Sequence, residues 1–278
     1  MALKVYQVDA FADRPFEGNP AAVVVTERPL SDALMQSIAM EMNLSETAFA
    51  VPLGNQPMDQ VERWSLRWFT PACEVRLCGH ATLATAHVLF NDLGVGVETI
   101  RFDTKSGELR VARDEDRLRM DFPRDEPEPL PAPAGLEGAL GAKILEIHRG
   151  RTLHKLLVLL ENEEAVRGVV PDFRALARLE KEGGWRGTII TAAGSGDVHF
   201  VSRFFAPLEG IDEDSVTGSA HTVLTPYWGR RLGLRRMHAF QASRRGGHLD
   251  VVLDDERVFL IGRAVEVMNG VLKVVAFP

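Results

Sequence analysis

The feature that most constrains this chain of 278 residues is that it carries one pattern twice. Phe69-Thr70-Pro71 leads through a turn into the apolar stretch Ala81 to Leu89. Phe205-Ala206-Pro207 stands 136 residues later, ahead of a second apolar stretch opened by Thr217-Gly218-Ser219-Ala220-His221. At the same offset Cys78 meets Asp214, and with small insertions Leu93-Gly94 meets Leu232-Gly233. Gly107, Leu109, Val111 and Asp114 likewise meet Gly247, Leu249, Val251 and Asp254. Self-similarity of this kind marks an internal duplication, and the length suffices for two modest cores.

Small or apolar residues cover nearly every side of Ala81 to Leu89, the pattern of a buried helix. Burial points its first turn, with unsatisfied N–H groups and partial positive charge, into the interior or a cleft, where an anion is favoured. Gly79 lets backbone approach a ligand there, and His80 beside the positive helix end is expected to stay neutral. A turn glycine and a packed histidine are the plainer alternatives; the second copy shifts the balance toward a site.

A formal net charge of −7, with no prominent Lys/Arg cluster, argues against nucleic acid as a partner. The densest basic group, Arg230, Arg231, Arg235 and Arg236, reads as a solvated end following a helix. Cys73 and Cys78, the only cysteines, are too few and too close for a disulfide framework, which implies a reducing, cytoplasmic setting. The first ten residues read as a strand rather than a signal peptide, and no apolar run approaches the length of a membrane helix. His80 and His87 are about 10.5 Å apart along a helix axis, too far to share one ion. No metal and no cofactor are expected, and serine-hydrolase, Walker and dinucleotide signatures are missing.

In chain order, Val5 to Phe11 alternates as a strand, and the turn-rich stretch Arg14 to Pro20 leads into the apolar run Ala21 to Val25. Asn19, between Gly18 and Pro20, either bonds its own backbone in a turn or lines a pocket. Ser31 can cap a helix whose face is Leu34, Met35, Ile38, Ala39 and Met42, with Asn43 as its stop. In the strand that follows, Thr47, Phe49 and Val51 share one face, leaving Glu46 beside Ala48 and Ala50 on the other. A carboxyl in such a half-buried niche can take and give a proton near neutral pH, although a solvated glutamate at a turn is the commoner case.

Trp64 to Phe69, Thr99 to Phe102, Glu108 to Ala112 and Arg117 to Phe122 read as further strands. Pro123, Pro127, Pro129, Pro131 and Pro133 then make a stiff extended connector. That stretch sets the expected domain boundary, residues 1–122 against 123–278, with the last strand free to return to the first domain. Strands at Ile144 to His148, Lys155 to Leu160, Thr188 to Ala193 and His199 to Phe205 and a helix from Phe173 to Glu182 fill the second half. Gly194 to Asp197 reads as a hairpin loop, since no helix follows it.

Gly18 to Val23, Asn43 to Phe49, Phe69-Thr70-Pro71 through Cys78-Gly79-His80-Ala81-Thr82, Asp214 to His221 and Arg245-Gly246-Gly247 occur in this order. With them the chain resembles, over nearly its whole length, the PhzF-like phenazine-biosynthesis isomerase family, relatives of diaminopimelate epimerase. The resemblance implies an α+β fold of two pseudo-symmetric domains, each a curved sheet around a central buried helix, with the site in the cleft between them. It also implies a homodimer and Glu46 as general acid/base. The positions of His80, Asp214 and Ser219, with the Gly79 backbone, would bind the substrate and its carboxylate; Asn19 and Gly218 complete the expected binding set.

In the related epimerases two cysteines exchange a proton across the substrate carbon. Here Asp214 stands where the second is needed, leaving Glu46 as the natural proton carrier. Ser215 replaces a family proline, which is expected to loosen the turn holding Asp214, and Ala242 replaces a glycine before Arg245-Gly246-Gly247. The leading expectation is a cofactor-free isomerase acting on a small anionic metabolite. The alternatives are an amino-acid epimerase pairing Cys78 with a carboxylate, and a small-anion binder without catalysis.

Overall fold

The computed structural model describes residues 2–274. The chain divides into two units: Met1–Asp121 together with Ile261–Pro278, and Phe122–Leu260.

In the first unit the strands are β1 (Ala2–Ala10), β2 (Asn19–Val25), β3 (Glu46–Pro52), β4 (Arg63–Phe69), β5 (Glu74–Val75), β6 (Thr99–Thr104), β7 (Gly107–Asp114) and β8 (Arg117–Pro123). The helices α1 (Asp32–Met42) and α2 (Gly79–His87) lie between β2 and β3 and between β5 and β6. The ladders run β1–β2 antiparallel, β2–β3 parallel, β3–β4 antiparallel, β4–β6 parallel and β6–β7 antiparallel.

The second unit opens with β9 (Pro127–Pro129) and α3 (Leu136–Leu140), and then repeats the first. Its strands are β10 (Glu146–Gly150), β11 (Leu156–Leu159), β12 (Thr188–Ala193), β13 (Phe200–Ala206), β14 (Ile211–Asp214), β15 (Arg236–Gln241), β16 (Gly247–Leu253) and β17 (Arg257–Gly262). Helices α4 (Glu163–Gly168) and α5 (Phe173–Gly183) occupy the place of α1, and α6 (Gly218–Leu232) that of α2. The ladders recur in the same senses: β10–β11 antiparallel, β11–β12 parallel, β12–β13 antiparallel, β13–β15 parallel and β15–β16 antiparallel. The duplicated sequence is thus a duplicated α+β topology. A last strand, β18 (Ala264–Lys273), pairs antiparallel with β1 in the first unit, as β9 pairs antiparallel with β10 in the second.

Side-chain alternation explains the layering. Leu3 and Val5 of β1, Ala22 and Val24 of β2 and Phe49 of β3 face outward and form one core with Leu34, Met35, Ile38 and Ala39 of α1. The opposite face of the sheet is left to α2, whose residues from Gly79 to Ala86 are all buried. Ser31 caps α1 by accepting from the Leu34 N–H, and Asn43 ends it in a left-handed conformation with its N–H on Ala39 O. In the second unit α6 is buried from Ala220 to Gly229, although Pro226 sits inside it. Proline cannot donate to the carbonyl of Thr222, and the Asp125 N–H does so instead at 3.2 Å.

The structure corrects the sequence reading at four points. The first apolar helix begins at Gly79 and runs after His87 into one π-type turn, Val88–Asp92. Pro127–Pro129 is no free connector, for it pairs with β10; proline is tolerated on such a short strand. Arg230 and Arg231 lie in the last turn of α6 rather than beyond it. The residue before α2 is Cys78 and that before α6 is Thr217, so Thr217 rather than Asp214 takes the place of Cys78. The segment between β13 and α6 is longer than that between β4 and α2, which hid this correspondence from a fixed offset.

Candidate active site

Gly18 has φ 63°, and a Cβ there would stand 2.2 Å from Ala10 O. Only glycine lets the chain double back so closely from β1 that β2 starts at Asn19. The left-handed Asn43 does the same after α1, and β3 starts almost at once with Ser45 beside it and Glu46 as its first residue. With Phe49 committed to the outer core, the two-residue period aims Glu46 at the face that α2 covers.

There Glu46 Oε2 lies 3.1 Å from His80 Nε2, with the two side chains 10% and 5% exposed. Among the described residues that oxygen has no further partner. Asn19 Nδ2 lies 3.0 Å from His80 Nδ1, on the side of the ring away from Glu46. Ser45 Oγ in turn donates to Asn19 Oδ1 at 3.2 Å and lies 3.5 Å from His80 Nε2. Cys78 Sγ lies 3.6 Å from His80 Nδ1.

The electrostatics of this cluster overturn one expectation. Burial by itself opposes a charged imidazole, yet the acidic groups beside His80, Cys78 and Glu46, hold it well above the ordinary histidine value. The helix dipole that was expected to keep His80 neutral is outweighed by a carboxylate in contact. Burial, with Glu46 adding to it, pushes the Cys78 thiol up to about 11, so at neutral pH Cys78 keeps its proton.

In the second unit Asp214 ends β14 and accepts from Thr217 Oγ1 at 2.5 Å. Gln241, fully buried on β15, accepts the Thr217 N–H at 2.9 Å and donates to Asp214 O at 2.8 Å. Ser243 Oγ donates to Ser215 O at 2.7 Å, a side-chain bond onto the turn that lacks its proline. Gly218 and Ser219 form the first residues of α6. His221 donates from Nδ1 to Thr217 O at 2.9 Å, and burial pushes it down to about 4.

Side chains cap α1, α4 and α5 through Ser31, Asn162 and Asp172. Neither α2 nor α6 has a side-chain cap. Their first-turn N–H groups are the ones a ligand anion can use.

The structure thus gathers Asn19, Glu46, Gly79 and His80 in the first unit and Asp214, Gly218 and Ser219 in the second. Sequence reasoning assigned no role to Ser45, Thr217 or Gln241. The signal for Gln241 was its place in the alternation Met237, Ala239, Gln241, where an apolar residue belongs. Histidine spacing also missed that Glu46, Cys78 and His80 place three metal-ligating atoms within 4.8 Å of one another.

A family model described as phenazine biosynthesis-like protein, PhzC-PhzF, matches residues 8–270. An uncharacterized isomerase of Pseudomonas aeruginosa is 53% identical over 270 residues, covering 97% of this chain and 98% of that one. A crystal structure of a PhzF-family phenazine biosynthesis protein from Enterococcus faecalis is similar with TM-score 0.91 and 46% identity, covering 99% of this chain and all of that one. A second, of a putative PhzC/PhzF protein from Clostridium difficile, has TM-score 0.87 and 41% identity, with 98% and 100% covered.

Proposed function

Since the chain belongs to the phenazine biosynthesis-like PhzC-PhzF family, we propose that it is a cofactor-independent isomerase that shifts a proton within a small carboxylate-bearing metabolite. Glu46 takes the proton from one carbon and returns it to another. The observation that carries this reading is the buried contact of Glu46 Oε2 with His80 Nε2 beside the uncapped start of α2.

A general acid/base must be close to its substrate and able to exist in both protonation states. His80 answers the charge on Glu46 when the carboxyl is ionised, while Asn19 and Ser45 hold the imidazole in place. The first turn of α2 is proposed to give donors to the substrate carboxylate, and Asp214, Gly218 and Ser219 are proposed as further binding residues. A homodimer and a cytoplasmic setting belong to the same proposal. Among the described residues no helix is long and apolar enough to cross a membrane.

The reading in which Cys78 acts with a carboxylate in an amino-acid epimerase is favoured by the 3.6 Å approach of Cys78 Sγ to His80 Nδ1. The height to which the thiol is pushed, about 11, weighs against it as a base. A small-anion binder without turnover is the third outcome.

The fate of the proton separates the three. A panel of small unsaturated amino- and hydroxy-carboxylates is incubated with the protein in deuterated water, and early product is read by mass spectrometry. One carboxylate serving both steps leaves part of the product with the substrate's own hydrogen, since redelivery competes with solvent exchange. Complete solvent incorporation with inversion at one carbon would replace Glu46 by two opposed bases. Binding without any exchange leaves the non-catalytic reading.

A further inference from the structure

We infer that Glu46, Cys78 and His80 form a binding site for one divalent ion of the zinc class, and that occupancy of this site silences the enzyme. The separations are 3.1 Å from Glu46 Oε2 to His80 Nε2 and 4.0 Å from Cys78 Sγ to His80 Nε2. No pair among the three exceeds 4.8 Å. Donors of one tetrahedral zinc, with bonds of about 2.0–2.3 Å, stand roughly 3.3–3.8 Å apart, so side-chain shifts of the order of an ångström complete the geometry.

The donor set is sulfur, imidazole nitrogen and carboxylate oxygen, the mixture that suits zinc or cobalt rather than magnesium or calcium. All three residues are buried, and Glu46 Oε2 has no hydrogen-bond partner among the described residues. The second coordination layer needs only a turn of one amide: with the ring hydrogen on Nδ1, Asn19 Oδ1 swings to accept it and Asn19 Nδ2 donates to Ser45 Oγ. With three protein ligands the fourth position stays open to water or to a small anion. The positive end of α2 opposes a dication, but a thiolate and a carboxylate directly on the ion outweigh a partial charge.

On binding, the thiol proton of Cys78 goes to solvent, His80 keeps one hydrogen on Nδ1 and frees Nε2 for the ion, and Glu46 gives a lone pair to the ion instead of to a proton. The carboxylate proposed to move the substrate's proton is then engaged. Only this inhibitory consequence rests on the isomerase reading; the binding does not.

The experiment uses the full, metal-stripped chain and cobalt(II) as the probe. One equivalent should give the near-ultraviolet sulfur-to-cobalt charge-transfer band and the intense visible bands of a tetrahedral ion, and zinc should displace both. Cys78→Ala should abolish the charge-transfer band and weaken cobalt binding at least about tenfold. Cys73→Ser, which changes the exposed cysteine, should leave the band intact. Should Cys78→Ala not fold by circular dichroism, X-ray absorption of the zinc-loaded wild type decides, with one sulfur and one imidazole expected in the first shell. No band at one equivalent, a band that survives in Cys78→Ala, or a zinc shell without sulfur overturns the site. Zinc bound in this way with proton transfer in deuterated water undiminished overturns the inhibition alone.

Discussion

Two histidines stand in the first turns of two helices that begin alike. His80 is the second residue of α2, after Cys78 and Gly79; His221 is the fourth of α6, after Thr217 and Gly218. Both are buried and both helices lack a side-chain cap, yet His80 is held well above the ordinary histidine value and His221 pushed down to about 4. The difference lies in the neighbours. His80 faces a carboxylate from β3, while His221 lies 6.1 Å from the Phe200 ring and bonds to one backbone carbonyl. Duplication supplied two similar scaffolds, and one strand residue put a carboxyl beside the first histidine, while the second is tied to the backbone of Thr217, whose hydroxyl donates to Asp214.

The largest break in this comparison should come from Glu46→Gln, which leaves the shape of the His80 cluster and removes its base. Proton exchange on substrate is expected to fall by about 10²–10⁴-fold, measured by deuterium uptake. Cys78→Ala should slow turnover far less, and equal losses from the two would hand the chemistry to the thiol.

Next in size is an acid effect confined to the second unit. Because the folded value of His221 lies below its unfolded value of about 6.5, the unfolded chain binds the extra proton. The stability due to the neutral ring is therefore full above pH 6.5 and lost as pH falls toward 4, by roughly 3 kcal/mol. Urea midpoints followed by tryptophan fluorescence should decline over that window in wild type and be flatter in His221→Leu. An equal decline in both would show that His221 is not the group responsible.

The smallest effect should follow Thr217→Val, which deletes the hydroxyl that donates to Asp214 at 2.5 Å. A loss of about 1.5–3 kcal/mol in substrate handling is expected, appearing mainly in KM. The fraction of hydrogen retained in product should not change, nor should it change in Asp214→Asn or His80→Gln, where only the rate falls. A change in that fraction would make one of these groups a proton carrier.

Much of this was legible because local rules act on few residues. Ser31 and Asn43 mark the ends of α1 by their own backbone chemistry, and the period of β3 by itself turned Glu46 away from Phe49. What stayed hidden needed partners from elsewhere in the chain. No rule read along the sequence could tell that Asp125 would satisfy the carbonyl stranded by Pro226, or that Asn19 would meet the imidazole of His80. The charge on His80 was misjudged for the same reason, as the dipole of its own helix was visible in the sequence and the distance to Glu46 was not.

The pairing of β18 with β1, from Ala2 opposite Lys273 to Ala10 opposite Ala264 with one register shift between Gln7 and Val8, bears on the order in which the protein is made. The second unit is one uninterrupted piece of chain, finished as soon as Leu260 has left the ribosome. The first unit emerges earlier but must wait, with the edge of β1 open, until residues 264–273 have been synthesised. An open edge is a template for pairing with other chains. The half that carries Glu46 is thus translated before the second and is the last to close.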